Sequence, residues 1–292
     1  MDPVVTPLRK FNLAWSRRVG ALEESFLGSG RALGPNRVLF ELDEQGVAVA
    51  ELRERLGLDS GYTSRLLRQL EDEGLVRVEA DPADARRRRV VPTQSGVAAR
   101  ADLEQRSEQK AREVVGPLSP RLQHRLAGLL AEADRVLRSP DVTIVDVPPA
   151  DPDARAAVAA YLRELDDRFA TGFDPEQAAQ DEVEFTRERG LFLVARSGTD
   201  VVGCGALRWL GSDVAEIKRM WVNPDWRGLG VAQRLLSRLE DEAVRSHRPL
   251  VRLDTHGDLA AAIAMYRRAG YVEVPRYNDN PYAQHWFEKQ ID

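Results

Sequence analysis

The chain has 292 residues, 43% of them hydrophobic and 30% charged, which is the composition of an ordinary globular protein with room for two domains. It contains one cysteine, four histidines and no run of about 18 to 20 apolar residues, so we expect no intrachain disulfide, no metal site and no membrane span. The net charge of −5 conceals a slightly basic first half and an acidic second half, which suggests two modules with different partners. Residues 1–10 lack the pattern of a signal peptide, and we expect a cytoplasmic protein.

Helical spacing of apolar residues dominates residues 8–138, and residues 49–79 predict a helix, a short turn, a second helix and a strand. Gly57 lies in the predicted turn, and Asp59 or Ser60 can cap the second helix. The leucines of that helix are expected to face inward. Near its N-terminus, the side chains expected to face a DNA major groove are Ser60, Tyr62, Thr63, Arg65 and Arg68.

A basic hairpin is predicted next, with the sequence DPADARRRRVVPTQSG at residues 81–96. Arginines on a narrow β-ribbon can follow phosphates or enter a minor groove, and the candidates here are Arg86, Arg87 and Arg88. Asp84 is expected to hold the side chain of Arg86. A solvated charged turn is the alternative for an isolated run of arginines, but its position after a helix-turn-helix favours DNA binding.

These elements resemble the MarR family of winged-helix repressors. Four residues fit the wing signature of that family: Asp84, Arg86, Thr93 and Gly96. Pro92 stands where the family usually has leucine. The resemblance covers about residues 8–138 and implies a double-stranded DNA operator as partner. It also implies a homodimer formed by terminal helices, about residues 10–27 and 97–138, and hence two half-sites about one helical turn apart. A winged helix that only binds another protein is the alternative.

The helical spacing ends near Pro140, where prolines and a short β-branched run interrupt it. We therefore predict a first domain at 1–140 and a second at 141–292. In the second, strand-like runs alternate with helices, which predicts a mixed α/β sheet. The predicted fold class is a mainly α winged helix-turn-helix domain followed by an α/β domain.

The sequence VNPDWRGLGVAQRLL, residues 222–236, predicts the end of a strand, a glycine turn and the start of a helix. It is neither a P-loop nor a dinucleotide fingerprint, because the lysine of the first and the third glycine of the second are missing. The glycines near Gly203 are predicted to lie inside a strand. Consecutive amides at a positive helix end would bind a pyrophosphate, and the residues concerned are Arg227, Gly228, Leu229, Gly230, Val231 and Ala232.

This stretch resembles motif A of the GNAT acetyltransferases, which grips the pyrophosphate of acetyl-CoA. Three downstream residues resemble a later signature of the family: Tyr266, Gly270 and Tyr271. The resemblance covers about residues 142–292 and implies acetyl-CoA as co-substrate. By the same resemblance, strand 214–222 splays from its neighbour. The amides expected to bond the pantetheine arm and to polarise the thioester are those of Met220, Trp221 and Val222. Leu259 stands where the family often has asparagine, and Asp258 is an alternative source of that contact.

Acetyl transfer to an amine requires two proton movements, because the ammonium must lose a proton and the thiolate must gain one. Glu216 is the candidate base, and pairing with Lys218 or Arg219 is its structural alternative. Tyr266 is the candidate acid, with a place in the core as the alternative.

The acceptor cavity is expected from residues 164–175 and 277–289, with Arg168 available for a carboxylate. A small-molecule amine or amino acid is favoured over a protein lysine. The sequence favours a transcriptional regulator fused to a working N-acetyltransferase. One alternative is a repressor that binds acetyl-CoA without catalysis. Another is an acetyltransferase whose winged helix only dimerises or recruits a partner.

Overall fold

A computed structural model describes residues 2–21, 23–82, 84–169 and 185–291. The chain divides into two compact units, Met1–Arg125 and Leu126–Asp292. This division falls inside the helix Pro120–Arg138 and precedes the predicted boundary at residue 140. The prediction that residues 1–140 and 141–292 form two separate domains therefore stays a prediction. In the described ranges, no helix is both long and apolar enough to cross a membrane.

The first unit is mainly helical, as predicted. Its helices are α1 (Val5–Arg18), α2 (Leu33–Glu41), α3 (Val49–Leu56), α4 (Ser60–Asp72), α5 (Gln94–Val115) and the start of α6 (Pro120–Arg138). Its strands are β1 (Val47–Ala48), β2 (Val76–Ala80) and β3 (Arg88–Pro92), which form an antiparallel sheet in the order β1-β3-β2. Helices α2 to α5 and the sheet enclose one apolar core.

Local chemistry explains the helix-turn-helix. Gly57 ends α3 at φ +64°, a left-handed conformation that glycine adopts without strain. Asp59 caps α4, because its carboxylate accepts a hydrogen bond from the amide of Tyr62 at 2.8 Å. The alternation of buried and exposed residues along α4 then follows from its 3.6-residue period.

The end of the hairpin is fixed by Thr93 and Gly96. Thr93 caps α5 by accepting from the amide of Gly96 at 3.1 Å, and its hydroxyl donates to the carbonyl of Gly74 at 2.7 Å. A Cβ at position 96 would lie 1.9 Å from the carbonyl oxygen of Leu75. In this chain, hydrogen bonding therefore explains the threonine of the wing signature, and close packing explains its glycine.

The second unit is built on a mixed sheet. Its helices after α6 are α7 (Pro152–Arg168), α8 (Val231–Arg245) and α9 (Ala260–Arg268). Its strands are β4 (Thr143–Asp146), β5 (Gly190–Ser197), β6 (Asp200–Trp209), β7 (Val214–Val222), β8 (Leu250–Thr255), β9 (Val272–Glu273) and β10 (His285–Gln290). The strand order is β4-β5-β6-β7-β8-β10-β9, and every adjacent pair is antiparallel except β7 and β8.

Both faces of this sheet are covered. Along β5, Leu193 and Ala195 belong to the core under α8 and α9, whereas Phe192 and Val194 belong to the core under α7. This alternation is the period of two expected of a strand, and burial on both faces explains why β5 is apolar along most of its length. The predicted fold class, a mainly α winged helix followed by an α/β mixed-sheet domain, is confirmed.

Candidate active site and nucleic-acid interface

Strand β7 separates from its parallel neighbour halfway along. Its pairing with β8 ends at Ile217, opposite Leu253, whereas its pairing with β6 continues to Val222. A β-bulge interrupts the β6–β7 pairing, and Arg219 within it has φ +56°, a left-handed conformation that costs free energy for a residue with a side chain. The strands therefore diverge beyond residue 217, as the resemblance to the GNAT acetyltransferases implies for strand 214–222.

The glycine turn leads into helix α8 as the sequence predicts. Gly228 and Gly230 have φ of +78° and +80°, and no atom lies within 4 Å of where a Cβ would stand on either. Gly230 is the N-cap of α8, so the first amides of this helix lack partners within it. Open space in front of unpaired amides at the positive end of a helix fits a pyrophosphate.

A cavity of about 450 Å³ extends from this turn along β7 to α9. Most of the predicted cofactor residues line it: Met220, Trp221, Val222, Arg227, Gly228, Gly230, Val231 and Ala232. Leu229 packs instead against the apolar core, so only its backbone belongs to the turn. Leu259 lines the same cavity, where an apolar side chain replaces the amide that the family resemblance leads one to expect.

Glu164, on α7, ties two of these residues together. Its carboxylate accepts from the guanidinium of Arg227 at 2.6 Å and from the indole nitrogen of Trp221 at 2.8 Å. Burial alone would raise the pKa of Glu164, but the hydrogen bonds from Arg227 and Trp221 lower it below its ordinary value. Arg168 pairs with the same carboxylate at 2.8 Å and lines this cavity. The expectation that Arg168 serves the acceptor is therefore corrected.

A second cavity, of about 370 Å³, is lined by residues of β7 and of the end of β8. The two cavities share lining residues, among them Met220, Leu259 and Tyr266. The C-terminal segment supplies Asn278–Ala283 to the second cavity, and the segment after α7 supplies Phe169. Both belong to the stretches expected to hold the acceptor, although residues 170–175 of the first stretch lie outside the described residues.

Tyr266 stands where the two cavities meet. The residue is 5% exposed, on α9, and its ring packs edge-on against Tyr271 with 5.8 Å between centroids. Burial raises the pKa of Tyr266 well above 10, and the nearby Tyr161 and Asp254 raise it further. The hydroxyl therefore keeps its proton throughout the physiological range, and both readings of this residue, core and acid, are compatible with its position.

Glu216 does not have the surroundings expected of a base. It is fully buried, and its carboxylate pairs with Arg208 and Lys218, with the Arg208 Nε at 2.9 Å. The hydroxyl of Tyr277 and the amide of Asn278 donate to it at 3.0 and 2.9 Å. Among the described residues that line the acceptor cavity, Ile217 and Lys218 appear but Glu216 does not. A carboxylate that already accepts from four groups has little room for a further hydrogen bond to an acceptor amine.

Sequence reasoning missed Asp254, which lines the acceptor cavity at the end of β8. Its carboxylate accepts from the side-chain amides of Asn278 and Asn280 at 2.6 and 2.7 Å, and it pairs with Lys218. A signal was available, because polar residues at the carboxyl end of a parallel strand tend to face a ligand crevice. The pairing of β8 with β7 was not evident from the sequence, so the signal could not be used.

On α4, the outward face carries most of the predicted DNA residues. Ser60, Tyr62, Arg65 and Arg68 are exposed, and the guanidinium of Arg65 lies 5.6 Å from the ring centre of Tyr62. Thr63 is the exception and corrects the prediction. It is 1% exposed because it precedes Leu66, Leu67 and Leu70 by three, four and seven residues, on the same face of the helix.

The tip of the β2–β3 hairpin presents the predicted arginines to solvent. Arg86, Arg87 and Arg88 are all exposed. Asp84 holds Arg86 as predicted, since its carboxylate accepts from the Arg86 Nε at 3.2 Å, and it also lies 3.6 Å from the Arg87 Nε. Arg88 donates to the carbonyl of Val78 across the hairpin at 3.0 Å. The described arginines of this tip are thus aimed by local contacts rather than by burial.

Apolar side chains remain exposed on the terminal helices. Leu8 and Phe11 of α1, and Leu122, Leu129 and Leu130 of α6, are each exposed, and within the described chain neither helix buries a residue. Exposed apolar residues at helical spacing suit an interface with another chain.

Two family models match the chain: the acetyltransferase (GNAT) family at residues 158–271 and the MarR family at residues 37–87. An IAA acetyltransferase of Azospirillum brasilense is 35% identical over 137 residues, which are 46% of this chain and 86% of that protein. An N-alpha-acetyltransferase RimI of Mycobacterium tuberculosis is 32% identical over 121 residues, 40% of this chain and 75% of that protein. A solved structure, a probable transcriptional regulator from Pseudomonas aeruginosa, is 26% identical and covers 45% of this chain and 97% of its own, with a TM-score of 0.37.

Proposed function

This chain belongs to the GNAT family of acetyltransferases and carries a MarR-family winged helix ahead of its acetyltransferase domain, and from this we propose that it is a DNA-binding regulator fused to an acetyl-CoA-dependent N-acetyltransferase acting on a small amine. One observation carries the catalytic half of the proposal. Two cavities, one ending at a helix N-terminus and one lined by polar loop residues, meet at a buried tyrosine, Tyr266. Two substrates entering from opposite sides would react there.

The residues of the first cavity are suited to the two ends of acetyl-CoA, which supplies an acetyl group activated as a thioester. The turn is open at Gly228 and Gly230, and the amides from Gly228 to Ala232 would bind the pyrophosphate. Beyond residue 217, β7 no longer pairs with β8, so those amides among Met220 to Val222 that point away from β6 are available for the pantetheine arm and the thioester carbonyl.

Tyr266 is proposed to supply a proton from its Oη to the departing sulfur. Its hydroxyl is protonated before reaction, as an acid requires, and the pKa raised by burial means that the proton is given up only to a strongly basic thiolate. Glu216 is proposed to position the acceptor wall rather than to act as the base, because Arg208, Lys218 and Asn278 already occupy its oxygens.

The regulatory half of the proposal is supported by the winged helix. Exposed arginines lie on the outer face of α4, the helix suited to the major groove, and at the tip of the hairpin. The exposed apolar residues of α1 and α6 support a homodimer, which would bind two half-sites of a double-stranded operator.

One experiment tests the catalytic half. The full chain is incubated with acetyl-CoA and amino acids, polyamines or aminoglycosides, and released thiol is measured beside a Tyr266→Phe variant. We expect thiol release that depends on the acceptor and that the variant loses. Binding of acetyl-CoA without release from any acceptor would instead favour a repressor that senses the cofactor.

A further inference from the structure

We propose that the end of helix α6 regulates the acetyl-CoA site, with Arg138 and Arg234 as positioning residues for the turn that is proposed to bind the pyrophosphate. The inference rests on the proposed function, since it concerns the regulation of that same site. It follows from contacts at both ends of residues 223–230, which we call the cofactor turn.

The start of the cofactor turn lies against the last turn of α6. The guanidinium of Arg138 is 5.4 Å from the ring centre of Trp226, within the range of a cation–π contact. Trp226 is 4% exposed and lines the first cavity. Three residues before Arg138, Arg135 lies 3.9 Å from the carboxylate of Asp225. Side chains of α6 therefore contact two successive residues of the cofactor turn.

The end of the cofactor turn is joined to the segment that follows α6. Arg234, in the first turn of α8, donates from its Nη1 to the carbonyl of Ser139 at 3.0 Å and from its Nη2 to the carbonyl of Val142. The N-terminal amides of α8 are those proposed to bind the pyrophosphate. Both ends of the cofactor turn thus meet one short stretch of the chain, residues 135–142.

This stretch is the end of a long helix. Arg138 pairs with Asp134 one turn earlier at 2.9 Å and with Asp200 at 3.5 Å. The helix begins at Pro120, and the division between the two units falls within it. Because helix formation is cooperative, order in the last turn of α6 favours order in the turns before it.

The contacts bear on affinity because the amides of the cofactor turn must be oriented before they can bind a phosphate. Ordering them only on binding would cost conformational entropy, which weakens the complex. Arg138 and Arg234 restrict the two ends of the turn, and neither is among the described residues that line the first cavity. We therefore expect both to strengthen acetyl-CoA binding without touching the cofactor. By linkage, bound acetyl-CoA stabilises the same contacts and hence the end of α6.

Calorimetric titration of the full chain with acetyl-CoA tests the effect on affinity. Arg138→Gln and Arg234→Gln should each raise the Kd about 2- to 5-fold, the usual value of one cation–π contact or one hydrogen bond. The titrations are done at about 0.05 and 0.5 M salt. The higher concentration screens any direct attraction between the removed charge and the cofactor, whereas a loss of positioning persists.

Arg248→Gln and Arg238→Gln are the matched controls. The guanidinium of Arg248 lies 4.4 Å from the ring centre of Trp209, and neither residue is among the described residues that line a cavity next to β7. Arg238 follows Arg234 by one turn of α8 and pairs with Glu242 at 2.7 Å. Each control removes an arginine contact of the same kind away from the cofactor turn, so the Kd should not change.

Hydrogen exchange measures the positioning itself. In Arg138→Gln, the amides of residues 222–236 should exchange faster than in the unchanged chain or in Arg248→Gln. In the unchanged chain, acetyl-CoA should slow exchange in residues 134–142, although none of these is among the described residues that line the first cavity.

The outcomes separate this inference from the proposed function. Equal Kd values for the unchanged chain and both variants, or a weakening that disappears at the higher salt concentration, would overturn the inference. So would acetyl-CoA binding that leaves exchange in residues 134–142 unaltered. In each of these cases the acetyl-CoA site itself would stand. If the unchanged chain does not bind acetyl-CoA at all, the proposed function fails, and with it the site that α6 is proposed to regulate.

Discussion

The guanidinium of Arg227 donates to the carboxylate of Glu164 at 2.6 Å, so the first residue of the turn proposed to bind phosphate is joined to helix α7. Glu164 lines the same cavity and accepts a second hydrogen bond from Trp221. A negative charge thus stands in a cavity that is proposed to receive a pyrophosphate. Because like charges repel, binding of the cofactor must overcome this charge or displace it.

We predict that Glu164→Gln strengthens acetyl-CoA binding by about 2- to 5-fold at low salt, the range of one partly exposed charge pair. The amide can still accept from Trp221, so the turn keeps its support. Hydrogen bonds hold the pKa of Glu164 below its ordinary value, so the carboxylate is ionised at pH 6 to 9 and the difference should not vary across that range. Calorimetric titration of acetyl-CoA measures it.

Glu240→Gln is the matched control. Glu240 lies on α8, and its side chain is 17% exposed, as is that of Glu164. It pairs with Lys289 at 2.9 Å. It is not among the described residues that line either cavity. It should leave acetyl-CoA binding unchanged. Weaker binding by Glu164→Gln would mean that fixing Arg227 matters more than removing a charge.

A methyl group at Gly230 should damage cofactor binding more than folding. The position has φ +80° and faces open space in the turn, so alanine there would carry about 1 to 2 kcal/mol of backbone strain and place a Cβ where the pyrophosphate is proposed to lie. We predict a rise of at least about tenfold in KM for acetyl-CoA. Gly198→Ala is the control, because Gly198 has φ +60°, equally open space and a place in the β5–β6 turn. If both variants raise KM equally, strain rather than obstruction is the cause.

Features encoded in local sequence could be predicted, and features that depend on pairing between distant strands could not. The turn at Gly228 and Gly230 follows from glycine spacing next to an amphipathic helix, and the cap at Asp59 follows from its side chain. The environment of Glu216 depends on residues 61 and 62 positions later, Tyr277 and Asn278, which no local pattern relates to it. Pairing with Lys218, two residues along the same strand, could be expected from the sequence, whereas the contacts with Arg208, Tyr277 and Asn278 could not.

The inward turn of Thr63 has a similar cause. Hydroxyl residues near a helix N-terminus are suited to DNA, and the type of residue alone supported an outward position. Its spacing to Leu66, Leu67 and Leu70 places it on the buried face instead, where its hydroxyl donates to the carbonyl of Asp59 at 2.8 Å. The hydrogen bond satisfies the buried hydroxyl within its own helix, so burial costs little.

Tyr266→Phe should lower kcat about 100-fold, a typical contribution of a positioned acid, and leave KM for acetyl-CoA within about twofold. Because burial raises the pKa of Tyr266 above 10, its ionisation should not produce an alkaline fall in activity below pH 10. For the same reason, the contribution of Tyr266 to folding stability is fully present below pH 10. It is progressively lost above pH 10, because the tyrosine ionises in the unfolded chain before it ionises in the folded one. Steady-state kinetics and alkaline melting curves measure these effects. Unchanged kcat would assign Tyr266 to the core alone.

Removing Arg86 or Arg87 at the hairpin tip should weaken binding to DNA duplexes of any sequence. Each arginine that neutralises a phosphate contributes about 0.9 to the slope of log affinity against log salt concentration, so each alanine variant should reduce the slope by about that amount. Arg245→Ala, an exposed arginine of the second unit, is the control. Fluorescence anisotropy at several salt concentrations measures the slopes. An unchanged slope would mean that the tip is a solvated turn.

Glu216→Gln separates a base from a positioning residue. The amide keeps the shape but leaves Arg208 and Lys218 beside a neutral group, and breaking a buried pair of this kind costs about 3 kcal/mol, or roughly 6 to 12 °C in the melting temperature of a unit of this size. We expect that loss together with a raised KM for the acceptor, because Asn278 and Lys218 line its cavity.

The shape of the pH–rate profile decides between the two roles. If Glu216 is the base, activity falls at low pH as its carboxylate becomes protonated, and this acidic limb of the profile disappears in the Gln variant. Removal of the base should also lower kcat about 100-fold or more at every pH. A positioning residue leaves the limb in place, since the ionisation seen in kcat/KM is then that of the acceptor amine itself. The variant is assayed below its melting temperature over a range of acceptor concentrations, so that kcat and kcat/KM are both obtained at each pH. Loss of the acidic limb would restore Glu216 as the base, whereas an unaltered profile with a higher acceptor KM assigns it to the wall that holds Lys218 and Asn278 in place.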